Sequence, residues 1–333
     1  MQRSEWFPML EERYPDWDTF SEIEHTFRRI DEIFRSHACI SISVSGGSDS
    51  DCVMHLICTY FPEYLYKCHF VFVNTGLEYD ATKRHLEEAE HKYGVTIDRV
   101  RGKSVVYVVA HYGLPILSKY KANIIKGYLR DAPWTLNRLY PPDELRAKLR
   151  NDQVFSPQQL EMVEYLKANG IKVSAECCMY SKKKPLLDYE KSIGADLYVT
   201  GERKAEGGQR SIQQRGCFSE RDKGPNKFMP LWAWSHETKR QFKAAEGIRY
   251  SDCYEIWGFR RTGCVGCPFN IRIAEDLQAM AQFEPKMYKA CMHVFGQAYE
   301  LMDRFNCRKR KCLPEVIQYT IFGECAIAER ETE

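Results

Sequence analysis

An α/β fold built on a doubly wound, mostly parallel sheet is predicted by three features of the sequence. Short β-branched or apolar runs alternate with longer amphipathic stretches, a glycine-rich turn joins the first such run to the helix after it, and helical patterns flank this alternation on both sides. Phe20, Ile23, Phe27, Ile30 and Phe34 recur at steps of three and four, which predicts one apolar helix face over residues 17–37. Residues 39–44 (CISISV) alternate and are β-branched, the pattern of a strand. The turn Ser45–Ser50 follows, and residues 51–60 continue as a helix. Residues 69–73 (HFVFV) form a continuous apolar run, as expected of a parallel strand buried on both faces. A charged amphipathic helix is predicted over 81–93, a third strand over 96–101, and a later strand of the same sheet over 195–200.

Composition limits the function classes. The chain has 333 residues, of which 44% are hydrophobic and 28% charged, ordinary for a folded protein and unlike a disordered one. A formal net charge of +2 gives no support to general coating of nucleic acid. No stretch approaches the roughly 18 to 20 apolar residues that cross a bilayer. The opening residues Met1–Trp6 carry charge with no apolar run behind them, so no secretory signal is read there. The expectation is a cytoplasmic protein with no membrane partner.

Fourteen cysteines are many for such a chain. In a reducing compartment, clustered cysteines point to metal binding or catalysis rather than to disulfides. Cys39, Cys52, Cys58 and Cys68 lie in or beside apolar runs and are expected to be buried core thiols.

The turn Ser45-Gly46-Gly47-Ser48-Asp49-Ser50 joins a strand to a helix. Two glycines let the backbone turn tightly and approach a ligand. The hydroxyls of Ser45, Ser48 and Ser50, the loop amides and the helix N-terminus together make an anion cradle. This hexapeptide resembles SGGxDS, the PP-loop of ATP pyrophosphatases and their relatives, where a nucleotide phosphate chain binds. Many of those enzymes carry Lys at the position of Ser48, so this loop has one positive charge fewer. Residues 71–78 (VFVNTGLE) resemble the family segment VDTGxE, with Asn74 in place of Asp. The resemblance makes Asn74, Thr75, Gly76 and Glu78 nucleotide-contacting candidates at the carboxyl edge of the sheet.

Cys177-Cys178 precedes a Lys-rich turn, Lys182-Lys183-Lys184-Pro185-Leu186, and Cys264-Val-Gly-Cys267 follows about 85 residues later. A CxxC turn presents two thiolates from one loop, and four cysteines bind either Zn²⁺ or an iron–sulfur cluster. The joint pattern resembles the 4Fe–4S arrangement of adenylylsulfate reductases. The connecting segments add to it. Residues 230–235 (PLWAWS) resemble the family element PLxxWT, and residues 254–264 (YEIWGFRRTGC) resemble its approach to the cluster. The stretch from Gly201 through Arg203 to Arg210 resembles its arginine-bearing, anion-contacting loop. The chain is thereby identified as a member of the phosphoadenosine-phosphosulfate (PAPS) reductase-like superfamily over roughly residues 38–270.

That resemblance implies the remaining assignments. The cluster ligands are Cys177, Cys178, Cys264 and Cys267, with Cys217 as the substitute for Cys177. Asp49 orients Mg²⁺, Lys182, Arg203 and Arg210 serve substrate or cluster electrostatics, and Gly201 borders the nucleotide. The segments are an N-terminal helical part (1–37), a nucleotide-binding α/β domain (38–227) with an insertion over the nucleotide site (112–156), and a cluster-bearing, helical C-terminal region (228–333). Two chemistries are implied. In one, ATP is cleaved to AMP and pyrophosphate while an acceptor such as tRNA or DNA is adenylylated and thiolated, with sulfur from a donor such as a cysteine desulfurase. In the other, APS or PAPS is reduced by a C-terminal cysteine, for which Cys325 in Gly323-Glu324-Cys325 is the candidate. A non-catalytic nucleotide-binding subunit of a modification or defence system is the third reading, and Ser48 in place of Lys fits it. The intact loop favours the first.

After residue 275, Met280, Phe283, Met287, Cys291 and Phe295 recur at helical spacing and are expected to pack in the core. Residues 306–312 (NCRKRKC) are expected to be a solvated basic run, or the place of phosphate contacts if the substrate is a nucleic acid.

Overall fold

The computed structural model describes residues 3–207 and 214–313. In chain order its main elements are α1 (Arg3–Arg13), α2 (Trp17–Arg35), β1 (Ile40–Ser43), α3 (Ser48–Tyr60), β2 (Cys68–Asn74), α4 (Asp80–Tyr93), β3 (Ile97–Arg101), α5 (Val105–Tyr112), α6 (Lys119–Tyr128), α7 (Pro157–Ala168), α8 (Lys184–Ser192), β4 (Leu197–Val199), β5 (Phe218–Ser219), β6 (Asn226–Phe228), α9 (His236–Ala245), α10 (Ile273–Phe283) and α11 (Pro285–Arg304). The chain forms two compact units. Of the described residues, the first holds 3–74, 80–102, 183–207 and 214–262, and the second holds 75–79, 103–182 and 263–313.

The first unit carries a six-stranded sheet in the order β3-β2-β1-β4-β6-β5. Every neighbouring pair is parallel except β5–β6 at the edge. The expected mostly parallel α/β sheet is therefore present, and its four predicted strands are β1 to β4. From β1 the chain moves outward to β2 and β3, then returns to the other side of β1 with β4, so strand order reverses between β1 and β4. Loops leaving the carboxyl ends of two such strands diverge and leave a crevice where open α/β sheets take ligands.

The core of this unit explains why its helices form. α2 begins at Asp16, whose carboxylate accepts from the Thr19 amide at 3.0 Å, and buries Phe20, Ile23, Phe27, Ile30 and Phe34 as its periodicity predicts. Trp234 is fully buried and donates its indole N–H to Thr26 Oγ1 at 2.9 Å, which fixes the segment after β6 on α2. Glu22 on the same helix accepts from the Ser235 amide and the Thr238 hydroxyl at the start of α9. Glu246, just past α9, is buried and accepts from Arg13, Tyr14, Tyr60 and His55 at 2.6–3.0 Å. Burial would push its carboxyl up, but hydrogen bonds from His55, Tyr14, Arg13 and Tyr60 outweigh that and hold it at about 2. Cys52 is fully buried, while Cys39, Cys58 and Cys68 are partly exposed. Burial pushes the thiols of Cys52, Cys58 and Cys68 up to about 12, which keeps them protonated and inert.

In the second unit, α5, α6, α7, α10 and α11 bury Val108, Ile125, Met162, Leu277, Tyr299 and Met302 among others. Residues 112–156 contribute α6 and two short helical turns to it. The apolar pattern after residue 275 runs over two helices broken between Phe283 and Pro285. Met280, Cys291 and Phe295 are buried as expected, whereas Phe283, at the break, is 38% exposed. No described helix is long and apolar enough to cross a membrane.

Candidate functional site

The glycine-rich loop follows β1, and α3 starts at Ser48, three residues earlier than its apolar pattern suggested. The loop is held by its own hydroxyls. Ser50 Oγ accepts from the amides of Ser45 and Gly47 at 3.3 and 3.2 Å and donates to the Gly47 carbonyl at 2.7 Å. Gly46 has φ +63°, and a Cβ there would stand 2.7 Å from Thr82 Cγ2, so both conformation and space demand glycine. Tyr254 touches the loop from outside. Its hydroxyl meets the Ser48 amide and bonds Thr262 Oγ1 at 2.9 Å, so residues 254–262 brace the turn.

Asp49, on the first turn of α3, gathers the charges. Its Oδ1 accepts from Arg203 Nε at 2.7 Å and from Lys239 Nζ at 2.8 Å. Lys239 also donates to Ser48 Oγ at 2.5 Å. Arg203, only 6% exposed, is steered by the carbonyls of Trp234 and Ser235 at 3.5 and 3.2 Å. Burial opposes ionisation of Asp49, but Lys239, a hydrogen bond from Glu206 and Arg203 outweigh it and lower its pKa. Burial and the same hydrogen bond raise that of Glu206. Gly201 presses on this turn through its backbone: a Cβ there would stand 2.8 Å from Asp49 C and 3.0 Å from Ser50 N. Of the predicted residues of this unit, Ser45 to Ser50, Gly201 and Arg203 come together, and Asn74 ends β2. Lys239 was missed by sequence reasoning, because nothing near it in the chain marks it as a partner of residue 49.

The second unit brings together the other predicted set. Cys177, Cys178, Cys264, Cys267 and Lys182 line one small pocket with Thr75, Leu77, Ser181 and Phe295. The turn that supplies Cys178 is π-helical through Lys183, a rare wider turn often found at functional sites. Cys177 shares a hydrogen bond with Cys178, and this bond, aided by Lys119 and Lys182 against burial, lowers the Cys178 thiol to about 5. The same bond and burial raise Cys177, and burial beside Cys264 raises Cys267 to about 12. Lys182 is raised: burial opposes its charge, but Cys264 and Glu78 outweigh it. The turn after β2 closes on itself, with Thr75 donating to Glu78 Oε1 through its amide at 3.0 Å and its hydroxyl at 2.7 Å.

Among the described residues no three His, Cys, Asp or Glu side chains converge closely enough for one metal ion. Four thiols line the shared pocket, with a low-pKa Cys178 and two lysines to offset thiolate charge, the type of donor set that thiolate-bound groups use. Cys217 belongs to the first unit, where its carbonyl accepts from the Met229 amide at 2.7 Å and its thiol meets Arg29. Arg210 and Cys325 lie outside the described residues.

The basic run after α11 is not simply solvated. Cys307 and Cys312 are buried, and the Arg308 guanidinium donates to the carbonyls of Asn270 at 2.8 Å, Leu117 at 3.1 Å and Pro268. It clamps the segment directly after Cys267, which sequence reasoning did not foresee. Lys119, beside Cys178, was missed for the same reason: its partner is 59 positions away in the chain.

A curated adenosine 5'-phosphosulfate reductase of Neisseria meningitidis is 27% identical over 167 residues, covering 47% of this chain and 63% of that protein. The chain thus spans less than two thirds of the length of the curated relatives it matches. Among solved structures, a phosphoadenylyl-sulfate reductase from Candida auris aligns with TM-score 0.44 and 12% identity, over 79% of this chain and 96% of that one. A U34-tRNA thiolase from Methanococcus maripaludis, solved with its 4Fe–4S cluster, aligns with TM-score 0.36 and 13% identity, over 93% of this chain and 86% of that one. The phosphoadenosine phosphosulfate reductase domain model matches residues 39–127 and 142–270, so the chain belongs to that family.

Proposed function

We propose that this protein is an ATP pyrophosphatase that adenylylates an acceptor and passes it on to sulfur transfer. The observation that carries the reading is the complete glycine-rich loop at the strand-order reversal, held in shape by Ser45 and Ser50 at the first turn of α3. Such a turn offers helix amides and hydroxyls to a phosphate chain, and the Arg203 guanidinium beside it adds charge. In the proposed reaction an acceptor oxygen attacks the α-phosphorus of ATP and pyrophosphate leaves. A sulfur nucleophile then displaces AMP from the adenylate. The residues' part is to hold the phosphates in line and spread their charge. Asp49 is the candidate to hold Mg²⁺, which would supply charge neutralisation at the phosphates.

Cys177, Cys178, Cys264 and Cys267 would hold a 4Fe–4S cluster, which supplies redox and sulfur-handling chemistry at thiolate-bound iron. Lys182 and Lys119 would balance the charge of those thiolates. The acceptor class is tRNA or DNA, and a cysteine desulfurase is the class of donor.

A second reading, sulfonucleotide reduction, is supported by the likeness to the Neisseria reductase. There a thiolate, with Cys325 the candidate, attacks the sulfur of APS or PAPS, the nucleotide leaves, and an external thiol releases sulfite. One experiment separates the readings. Protein prepared without oxygen is assayed for iron and zinc, then given ATP–Mg²⁺ and, separately, APS with thiol. About four irons per chain and release of AMP with pyrophosphate support the first reading. Inertness toward ATP with thiol-dependent sulfite release supports the second, and binding without turnover would favour a non-catalytic subunit. A zinc protein without iron would sink the cluster.

A further inference from the structure

We infer that Lys239 is a phosphate-binding residue: with Arg203 and the first turn of α3 it forms a two-cation subsite for the nucleotide's phosphate chain. The inference rests on the glycine-rich loop being the nucleotide site, and it adds a residue from α9 that no motif assigns. Lys239 Nζ stands 2.5 Å from Ser48 Oγ and 2.8 Å from Asp49 Oδ1, and Arg203 Nε stands 2.7 Å from the same oxygen. Two cations therefore converge on one oxyanion at a helix N-terminus. A phosphate oxygen has the same charge sign and the same hydrogen-bonding capacity, so the carboxylate marks where it can be held.

The cations sit in a close cluster of charges, with Asp51 and Glu206 also facing Asp49. The side chains of Arg203, Asp49 and Lys239 are only 5%, 17% and 15% exposed, so the pull of both cations on an entering phosphate oxygen is poorly screened. The position of Lys239 is also built. Ser235 caps α9 and accepts the Thr238 amide at 3.0 Å, buried Trp234 anchors the preceding turn, and the carbonyls of those same two residues steer Arg203. One short segment thus aims both cations. Tyr250, whose ring centroid lies 5.5 Å from Nζ, supports the lysine from the side.

The test is calorimetric titration of the whole chain with ATP–Mg²⁺ and with adenosine. Wild type, Lys239→Met, Lys239→Arg and Lys239→Met combined with Ser48→Lys are compared. Loss of a charged hydrogen bond to phosphate is worth about 10- to 100-fold. Lys239→Met should weaken ATP by that factor and leave adenosine within about 3-fold, while Lys239→Arg retains most of the affinity. Ser48→Lys, which returns an ammonium to the same spot from the loop, should recover at least part of the loss. The assignment is overturned if Lys239→Met binds ATP as wild type does, or if it weakens adenosine as much as ATP, since the lysine then acts only through the fold. Wild type that binds neither ligand would overturn the nucleotide reading itself, and that result is visible before any variant is made.

Discussion

Gly201→Ala tests whether the loop after β4 shapes the nucleotide turn. The methyl group would sit 2.8 Å from Asp49 C, 2.9 Å from Asp49 O and 3.0 Å from Ser50 N. All three are backbone atoms, so no side chain can swing aside. Comfortable carbon contacts lie near 3.5–4.0 Å, which means roughly 0.5–1 Å of separation must open between the β4 loop and α3. Overpacking of this kind costs about 1–3 kcal/mol. For a chain of this size that corresponds to a melting temperature lower by about 2–6 °C. Because the displaced atoms belong to Asp49 and Ser50, ATP affinity should fall as well. Gly216→Ala is the control: its Cβ would meet nothing within 4 Å, so its cost should stay within about 0.5 kcal/mol. Thermal unfolding followed by circular dichroism, with ATP titration by calorimetry, reads both effects. If Gly201→Ala melts and binds like Gly216→Ala, the close approach is not holding the site, and the argument fails.

Serine substitution of Cys177, Cys178, Cys264 or Cys267 should strip most iron from anaerobically purified protein, while Cys217→Ser should keep it; equal iron in all five would refute the ligand set. Glu246→Gln addresses acid stability. Glu246 sits at about 2 in the folded state against an ordinary 4.5, so its contribution of about 3 kcal/mol is present above pH 4.5 and fades as pH falls toward 2. Urea unfolding should therefore show wild type losing this margin progressively between pH 5 and 2, and the glutamine variant, less stable at pH 7, losing less over the same range; parallel curves would contradict it.

What could be read without coordinates was local. The SGGSDS loop, the strand before it and the cysteine pairs are each written in a few consecutive residues, and their conformations follow from glycine, hydroxyl and thiol chemistry nearby. The partners of those motifs are not written that way. Lys239 reaches residue 48 from 191 positions away, and Arg308 reaches Pro268 from 40. A lysine in an ordinary amphipathic helix and an arginine in a basic run look the same whether solvated or committed, because tertiary packing alone decides. The break at Pro285 was missed for a related reason: apolar spacing carries across it almost unchanged, although proline has no N–H to continue the first helix.

The clamp by Arg308 has a consequence for when the thiol pocket is fully fastened. Cys264 and Cys267 are delivered by a loop whose Gly266 carbonyl is held by Tyr299 of α11 and whose following segment is clamped by Arg308, which emerges from the ribosome after the whole of α11. Until then the carbonyls of Leu117, Pro268 and Asn270 face no guanidinium. A nascent or trimmed chain ending before residue 308 would therefore present the same cysteines without that clamp.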